Sequence, residues 1–314
     1  MLAFIDWLHR QAAAHLLRPP TLALPTEQEH AWLTELRERL AALEHGGSQG
    51  HDFWTSNEKR LAKRLLAEDP RAFTSWPEVN PPMFHTAQRV EYAALKRSPQ
   101  WPQWQQAMRE TGTGSPPPYY LQPTLNGNVV HHAYSLQHLV SLTGQEPAQF
   151  RRVMEFGGGY GSFCRLFCSL GFRGEYTIYD LPVFCLLQWY YLSQQGLGSV
   201  AVNDISSAAR LRTIWTLELL EQACQQGEPV DLFVALWSIT EVPDELRQRV
   251  FRALKSVKTI FIAYHNTYKE YNNLDYLAQL RRELGEYQWH DEQIAHLPHN
   301  GYLVGELQQS RQCG

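Results

Sequence analysis

The chain has 314 residues, with 28 basic and 32 acidic side chains and a net charge of −4. Hydrophobic residues make up 44% of it, enough for a sizeable core, which excludes global disorder. The mildly acidic balance argues against a dedicated nucleic-acid binder, whose phosphate contacts need clustered Lys and Arg, and no run approaches the ~18 apolar residues of a membrane span.

Residues 1–110 read as helices with short breaks. The first stretch, MLAFIDWLHRQAAAHLL, is amphipathic and interrupted by Asp6, His9 and Arg10. A secretory signal would need a basic start and an unbroken apolar run. The five cysteines, Cys164, Cys168, Cys185, Cys224 and Cys313, are odd in number and lack zinc-ribbon spacing. Cys164 and Cys168 share a helix face as ordinary buried thiols. A reduced, cytoplasmic protein is expected.

In TEQEHAWLTELRERLAALEHGG, Thr26 and Glu29 form a capping box. Trp32, Leu33, Leu36, Leu40 and Leu43 follow at helical steps, and Gly46 and Gly47 end the element. NEKRLAKRLLAED is a second helix stopped by Pro70, its basic residues balanced by nearby acids on a solvated face. Asn80-Pro81-Pro82-Met83-Phe84 is similar to the Asn-Pro-Pro-aromatic motif of amino-methyltransferases. It precedes any glycine turn, follows no apolar strand and has Met at the aromatic position, so it reads as a break between helices. Residues 98–125 are rich in Pro, Gly and Gln and include Pro116, Pro117 and Pro118, the best place for a domain boundary. That gives a helical domain over 1–120 and a second domain over 121–314. Six of the ten Trp (Trp7, Trp32, Trp54, Trp76, Trp101 and Trp104) fall in the first of them.

Beyond residue 126 the pattern changes. A helix is expected over 130–144, and then short β-rich segments alternate with helical ones. The expected strands are Arg152–Phe156, Glu175–Tyr179, Ser199–Asn203, Val230–Leu236, Thr259–Ala263 and Gly301–Glu306. The stretches 161–171, 183–196, 209–226, 243–256 and 268–284 read as helices. This alternation implies an α/β, Rossmann-like fold: a mostly parallel sheet with helices on both faces. Such sheets take ligands in the crevice at the strands' carboxyl ends.

The most informative segment is RRVMEFGGGYGSFCRLF, in which a short apolar strand runs into Gly157-Gly158-Gly159-Tyr160-Gly161 and then a helix. Glycines let the chain turn tightly and let a ligand approach the backbone. Asp180 ends the second strand, 23 residues beyond Gly157, where nucleotide-type sites place the acid that takes ribose hydroxyls. Asp204 ends the third expected strand; it can accept from an adenine amino group while Ile205 packs on the ring.

A dinucleotide site has G-x-G-x-x-G, with a pyrophosphate at the helix N-terminus. Here the spacing is G-x-G-x-G, preceded by Glu155. This resembles motif I of class I S-adenosylmethionine-dependent methyltransferases. The resemblance implies S-adenosyl-L-methionine as cofactor, with Glu155, Gly157, Gly158, Gly159, Tyr160 and Gly161 at its methionine and ribose portion. Asp180 and Leu181 would lie at the ribose, and Asp204 and Ile205 at the adenine. DLFVALWSITEVPDE resembles motif IV. HDFWTSNEKRLAKRLLAEDPRAFTSWPEV, EFGGGYGSFCRL, YTIYDLP and WSITEV resemble bacterial sugar O-methyltransferases. Gly-Gly-Gly-x-Gly with Asp-Leu-Pro is also similar to plant-type small-molecule O-methyltransferases, but their catalytic His-Asp-Trp is replaced here by Trp237-Ser238-Ile239-Thr240-Glu241.

A neutral sugar hydroxyl is a poor nucleophile, so a nearby base is expected. Glu241, with Ser238, follows the fourth strand, and His265-Asn266 follows the apolar strand TIFIAY. Asn126-Gly127-Asn128 precedes His131 and His132. Glu241, His265 and His132 are therefore the candidate bases, and Ser238, Asn266 and His131 the candidate acceptor contacts; His299-Asn300 ranks after them. With no metal-ligating cluster of clear spacing, a metal-free site is expected. The acceptor is expected to be a small molecule, with carbohydrate favoured, neither nucleic acid nor membrane, with the helical domain as a cap or homodimer surface. The alternatives are a NAD-dependent Rossmann oxidoreductase and a non-catalytic binding module.

Overall fold

The computed structural model describes residues 22–43, 52–83, 89–254 and 257–308. The N-terminal amphipathic stretch, Gly46, Gly47 and Cys313 lie outside these described residues.

Helix α1 (Glu27–Ala42) starts at the expected capping box: Thr26 Oγ1 accepts from Glu29 N at 3.2 Å, and Glu29 Oε2 accepts from Thr26 N at 2.7 Å. Leu33, Leu36 and Leu40 form its buried stripe. Helix α2 (Asp52–Ala67) buries Leu61 and Leu65 and stops before Asp69, which caps the 3-10 turn Pro70–Ser75. Short helices α3 (Asn80–Met83), α4 (Arg89–Arg97) and α5 (Trp101–Ala107) follow. The proline-rich stretch ends in a small hairpin of β1 (Pro118–Tyr119) and β2 (Gln122–Asn126). Helix α6 (Gly127–Thr143) is capped by Asn126, whose Oδ1 accepts from Val129 N at 2.8 Å, and ends at Gly144.

The chain then alternates: β3 (Arg152–Phe156), α7 (Ser162–Ser169), β4 (Glu175–Tyr179), α8 (Pro182–Ser193), β5 (Val200–Val202) and β6 (Leu211–Ile214). After these come α9 (Leu217–Gln225), β7 (Leu232–Leu236), α10 (Asp244–Ala253), β8 (Thr259–His265), the minimal hairpin β9 (Thr267–Tyr268) and β10 (Tyr271–Asn272), α11 (Asn273–Glu283), β11 (Tyr287–Gln293) and β12 (Asn300–Leu307). The eight-stranded sheet has the order β11-β12-β8-β7-β3-β4-β6-β5. It is parallel from β5 to β8; β12 and β11 are antiparallel. The order reverses at β3, with β4 on one side and β7 on the other, the place where such sheets open a ligand crevice.

Three segments differ from the sequence reading. Residues 209–226 are a strand and a helix, because β6 finds parallel partners on both sides, β4 and β5. The apolar residues Leu211, Ile214, Leu217 and Leu220 recur at helical spacing and are all buried, so the spacing alone does not reveal the break. Strand β11, with the polar sequence YQWHDEQ, is an unanticipated edge strand held by antiparallel pairing with β12. The last helix starts at Asn273, after the hairpin.

Alternating strand residues face opposite cores. Val153, Ile178, Val234 and Phe261 belong to one cluster with α1, α2 and α4–α8. Met154, Phe156, Phe233 and Ile262 belong to the other, with α9, α10 and α11. The described N-terminal helices therefore share a continuous core with one face of the sheet. Cys164, Cys168 and Cys185 are buried free thiols. Among the described residues, no helix is long and apolar enough to cross a membrane.

Candidate active site

A cavity of about 1560 Å³ opens at the carboxyl ends of β3, β4, β6, β7 and β8. It exceeds the ~300–1,000 Å³ typical of a site for one small ligand. Its floor is the glycine turn. Gly157 sits at φ 70°, and a Cβ there would overlap the Ser238 side chain. At Gly158 a Cβ would lie 2.7 Å from Ile178 Cγ2 and 3.3 Å from Glu155 Oε2, so only glycine lets the backbone lie over that carboxyl. Gly159 approaches Met83 of the Asn-Pro-Pro segment, and both Pro82 and Met83 line the cavity. Tyr160 also borders it, but its ring packs on Phe73 and Tyr191 at 5.5 and 5.1 Å, and its hydroxyl accepts from Asn128 Nδ2 at 3.1 Å. Burial pushes that phenol up to about 12. Gly161 caps α7 at φ 93° and is not among the lining residues.

Two carboxyls sit beside the turn. Glu155 is 3% exposed and accepts from the Tyr176 hydroxyl at 2.8 Å. Desolvation raises it to about 8; the Tyr176 hydrogen bond opposes the rise and the nearby Asp180 adds to it. Asp180 keeps a partly exposed edge on the cavity but is otherwise surrounded by protein. Its Oδ1 accepts from Leu181 N at 2.8 Å and its Oδ2 from Gln188 Nε2 at 2.7 Å. Desolvation lifts it to about 7 against those hydrogen bonds, and Glu58 contributes to the rise. Glu58, from α2, accepts from Val183 N at 3.1 Å, which places the N-terminal helices against the first turn of α8.

Asp204 and Ile205 are not brought to this site. They follow β5, which lies at the sheet margin because β6 separates it from β4. Asp204 is exposed and caps its own turn, accepting from Ser206 N at 2.8 Å, and those bonds hold its carboxyl low. Ile205 packs on the second core. Trp215, Thr216 and Leu217, at the end of β6, line the cavity in their place.

On the other side of the strand reversal, Glu241 and His265 converge. Glu241 lies on the buried 3-10 turn after β7 and His265 at the end of β8, with Glu241 Oε1 3.5 Å from His265 Nε2. Trp54 Nε1 of α2 donates to Glu241 Oε2 at 2.8 Å. The pair is bracketed from behind. Buried Arg247 donates to Thr240 O at 2.9 Å and to Asn273 Oδ1 at 3.3 Å, and buried Asn273 donates to His265 O at 2.9 Å. Tyr271 and Tyr276 flank the Arg247 guanidinium at 4.8 and 4.4 Å. Ser238 lines the cavity but donates to Phe156 O. Asn266 lies beside the hairpin, accepting from Asn273 N at 3.1 Å, and is not among the lining residues. Asn300, at the start of antiparallel β12, pairs in register with His265, reaches the cavity and accepts from Trp237 Nε1 at 2.8 Å.

His131 and His132 both border the cavity. His131 is 1% exposed; its Nδ1 lies 2.8 Å from Glu91 Oε1, and its ring is 4.8 Å from that of Trp237. His132 Nδ1 lies 3.2 Å from Ser162 Oγ; burial first, and then His131 and Arg165, bring it down to about 3, so its ring is neutral. Sequence reading missed Trp54, Glu58, Glu91, Trp215, Trp237, Arg247 and Asn273; only Asn300 had been marked, as a weaker candidate.

No family model matches this chain, and no curated protein matches it either. Among solved structures it is similar to an O-methyltransferase family protein from Burkholderia thailandensis, at TM-score 0.39 and 14% identity over 58% of this chain and 60% of that one. It is also similar to a SAM-dependent methyltransferase from Aquifex aeolicus, at TM-score 0.40 and 10% identity over 55% and 89% of the two chains. A magnesium protoporphyrin IX methyltransferase from Synechocystis PCC 6803, with SAH bound, gives TM-score 0.37 and 14% identity over 57% and 83%.

Proposed function

We propose that the chain is an S-adenosylmethionine-dependent O-methyltransferase acting on a hydroxyl of a sugar, nucleotide-sugar or related small molecule. The observation that carries this is one cavity onto which open the glycine turn over buried Glu155, Asp180 at the next strand end, and the Glu241–His265 pair across the strand reversal. The residues present fit the cofactor. Two desolvated carboxyls beside a glycine turn match a cationic ligand that must approach the backbone closely. When bound, the cofactor supplies a methyl group already activated on a sulfonium.

The chain's own residues then have distinct tasks. Gly157, Gly158 and Gly159 admit the ligand, Asp180 takes ribose hydroxyls, and Leu181 packs beside them. Trp215, Thr216 and Leu217 take the adenine end in place of Asp204 and Ile205. His265, part-exposed at the cavity, withdraws the acceptor's hydroxyl proton through the ring nitrogen that does not face Glu241, while Glu241, 3.5 Å from Nε2, orients the ring. His132, a neutral ring, is the second candidate for that proton. Residues 1–120 form the acceptor-side cap, to which Trp54 contributes directly. A homodimer through that cap and a cytoplasmic setting complete the reading.

Calorimetry tests it. Micromolar binding of S-adenosylhomocysteine without NAD binding supports the proposal, and NAD binding without S-adenosylhomocysteine binding replaces it with an oxidoreductase. S-adenosylhomocysteine binding with no transfer to any hydroxylated acceptor would leave a non-catalytic module.

A further inference from the structure

We infer that the cavity contains a subsite for an anionic group of the acceptor, a phosphate or a carboxylate, built on Lys59 and Lys63 of α2. Both lysines border the cavity, exposed at its opening, one helical turn apart on the same face. Their helix neighbours are engaged elsewhere. Arg60 donates to Asn57 Oδ1 at 3.0 Å, and Arg64 lies 2.8 Å from both Glu68 Oε1 and Glu78 Oε2. Among the described residues, neither Lys59 nor Lys63 forms an ion pair.

Carboxyls border the same cavity, yet each already has another partner. Glu58 accepts from Val183 N, Glu155 from Tyr176, Asp180 from Leu181 N and Gln188, and Glu241 from Trp54; Glu218 lies 3.9 Å from Arg249. The two ammonium groups are thus the Lys and Arg charges bordering this cavity, and among the described residues neither is paired with a carboxylate. Like charges one turn apart repel, and an anion between them removes that repulsion while accepting charge-assisted hydrogen bonds.

Position assigns the anion to the acceptor. The glycine turn and Asp180 belong to the ends of β3 and β4; α2 enters from the N-terminal third and borders both sides of the cavity, with Trp54 bonded to Glu241 and Glu58 already occupied by Val183 N on the Asp180 side. Lys59 lies five residues beyond Trp54, about 7.5 Å of helical rise. That spacing suits an acceptor with its reacting hydroxyl at Glu241–His265 and its anionic group further along α2. The assignment to the acceptor rests on the methyltransferase reading; the anion site itself does not.

The test is calorimetry on the full chain with two probes, inorganic pyrophosphate and glucuronate, each in the presence and absence of saturating S-adenosylhomocysteine. At least one probe binds the wild type, and the one that binds identifies phosphate or carboxylate as the group recognised. Lys59→Ala/Lys63→Ala weakens that probe at least tenfold, Lys59→Arg/Lys63→Arg retains it, and S-adenosylhomocysteine affinity is unchanged in both. Alanine suits an exposed helix face, so the variant keeps its fold. Equal probe affinity in the alanine variant, or binding of neither probe to the wild type, overturns the inference. A tenfold loss of S-adenosylhomocysteine affinity also overturns it, by placing the lysines on the donor. Lysine-dependent pyrophosphate binding by a chain that ignores S-adenosylhomocysteine would keep the anion site and refute the methyltransferase reading instead.

Discussion

Replacing Glu155 by Gln probes the cavity floor without any knowledge of the acceptor. Glu155 is 3% exposed, and in the free protein its carboxyl is raised from 4.5 to about 8. An acid whose folded value lies above its unfolded one stabilises the fold fully below about pH 4.5, and that contribution is lost as pH rises through about 8. At about 1.36 kcal/mol per pH unit, the whole loss is roughly 5 kcal/mol, of which about 3 kcal/mol falls between pH 5 and pH 8. Glutamine does not titrate, and its Oε1 can still accept from Tyr176. Chemical denaturation of the free protein across pH 5–9 should therefore show the variant gaining on the wild type as pH rises. Asp180 pulls in the same direction in both proteins and largely cancels in the difference. Saturating S-adenosylhomocysteine should narrow the gap, because a cationic ligand group stabilises the ionised Glu155 and binds the variant less well. Wild-type and variant curves that stay parallel over this range would refute the claim that Glu155 is held in a desolvated, largely neutral state.

Asp180→Ala should weaken S-adenosylhomocysteine binding by more than tenfold by calorimetry, since hydrogen bonds to charged groups are worth roughly 1.5–3 kcal/mol; unchanged affinity removes it from the ribose. Glu241→Ala and His265→Ala should each lose methyl transfer while keeping S-adenosylhomocysteine affinity, and full activity in both would move the base to His132. Asn273→Ala removes the donor to His265 O and the Arg247 acceptor, so turnover should fall more than tenfold with cofactor affinity intact; a fall in thermal stability alone would make it structural. Trp54→Phe should lower turnover and leave the unfolding midpoint within a few degrees, because it removes one hydrogen bond to Glu241 and keeps most of the ring's packing.

The glycine turn could be read from the chain because its determinants are local. A short apolar strand, three adjacent glycines and a helix lie within one segment, and Asp180 falls at the end of the next strand. Glu241 and His265 were also found singly, each just past a β-rich run. That they stand 3.5 Å apart could not be read, because their strands are neighbours only through the sheet order. Nor could the Trp54 bond to Glu241, which spans 187 residues, or the Arg247–Asn273 bracket. Asp204 shows the opposite failure. It follows a real strand, but β6 inserts between that strand and β4 and leaves it at the margin.

By itself, then, the sequence determined the alternating α/β order, the helical N-terminal third and the glycine turn with its acid, all written in periodicity, capping and backbone freedom over a few residues. The tertiary structure alone decided which strands are neighbours, which carboxyls lose their water and which side chains meet over the cavity. Pairing, desolvation and charge coupling act through space between residues far apart in the chain, and no local pattern encodes them.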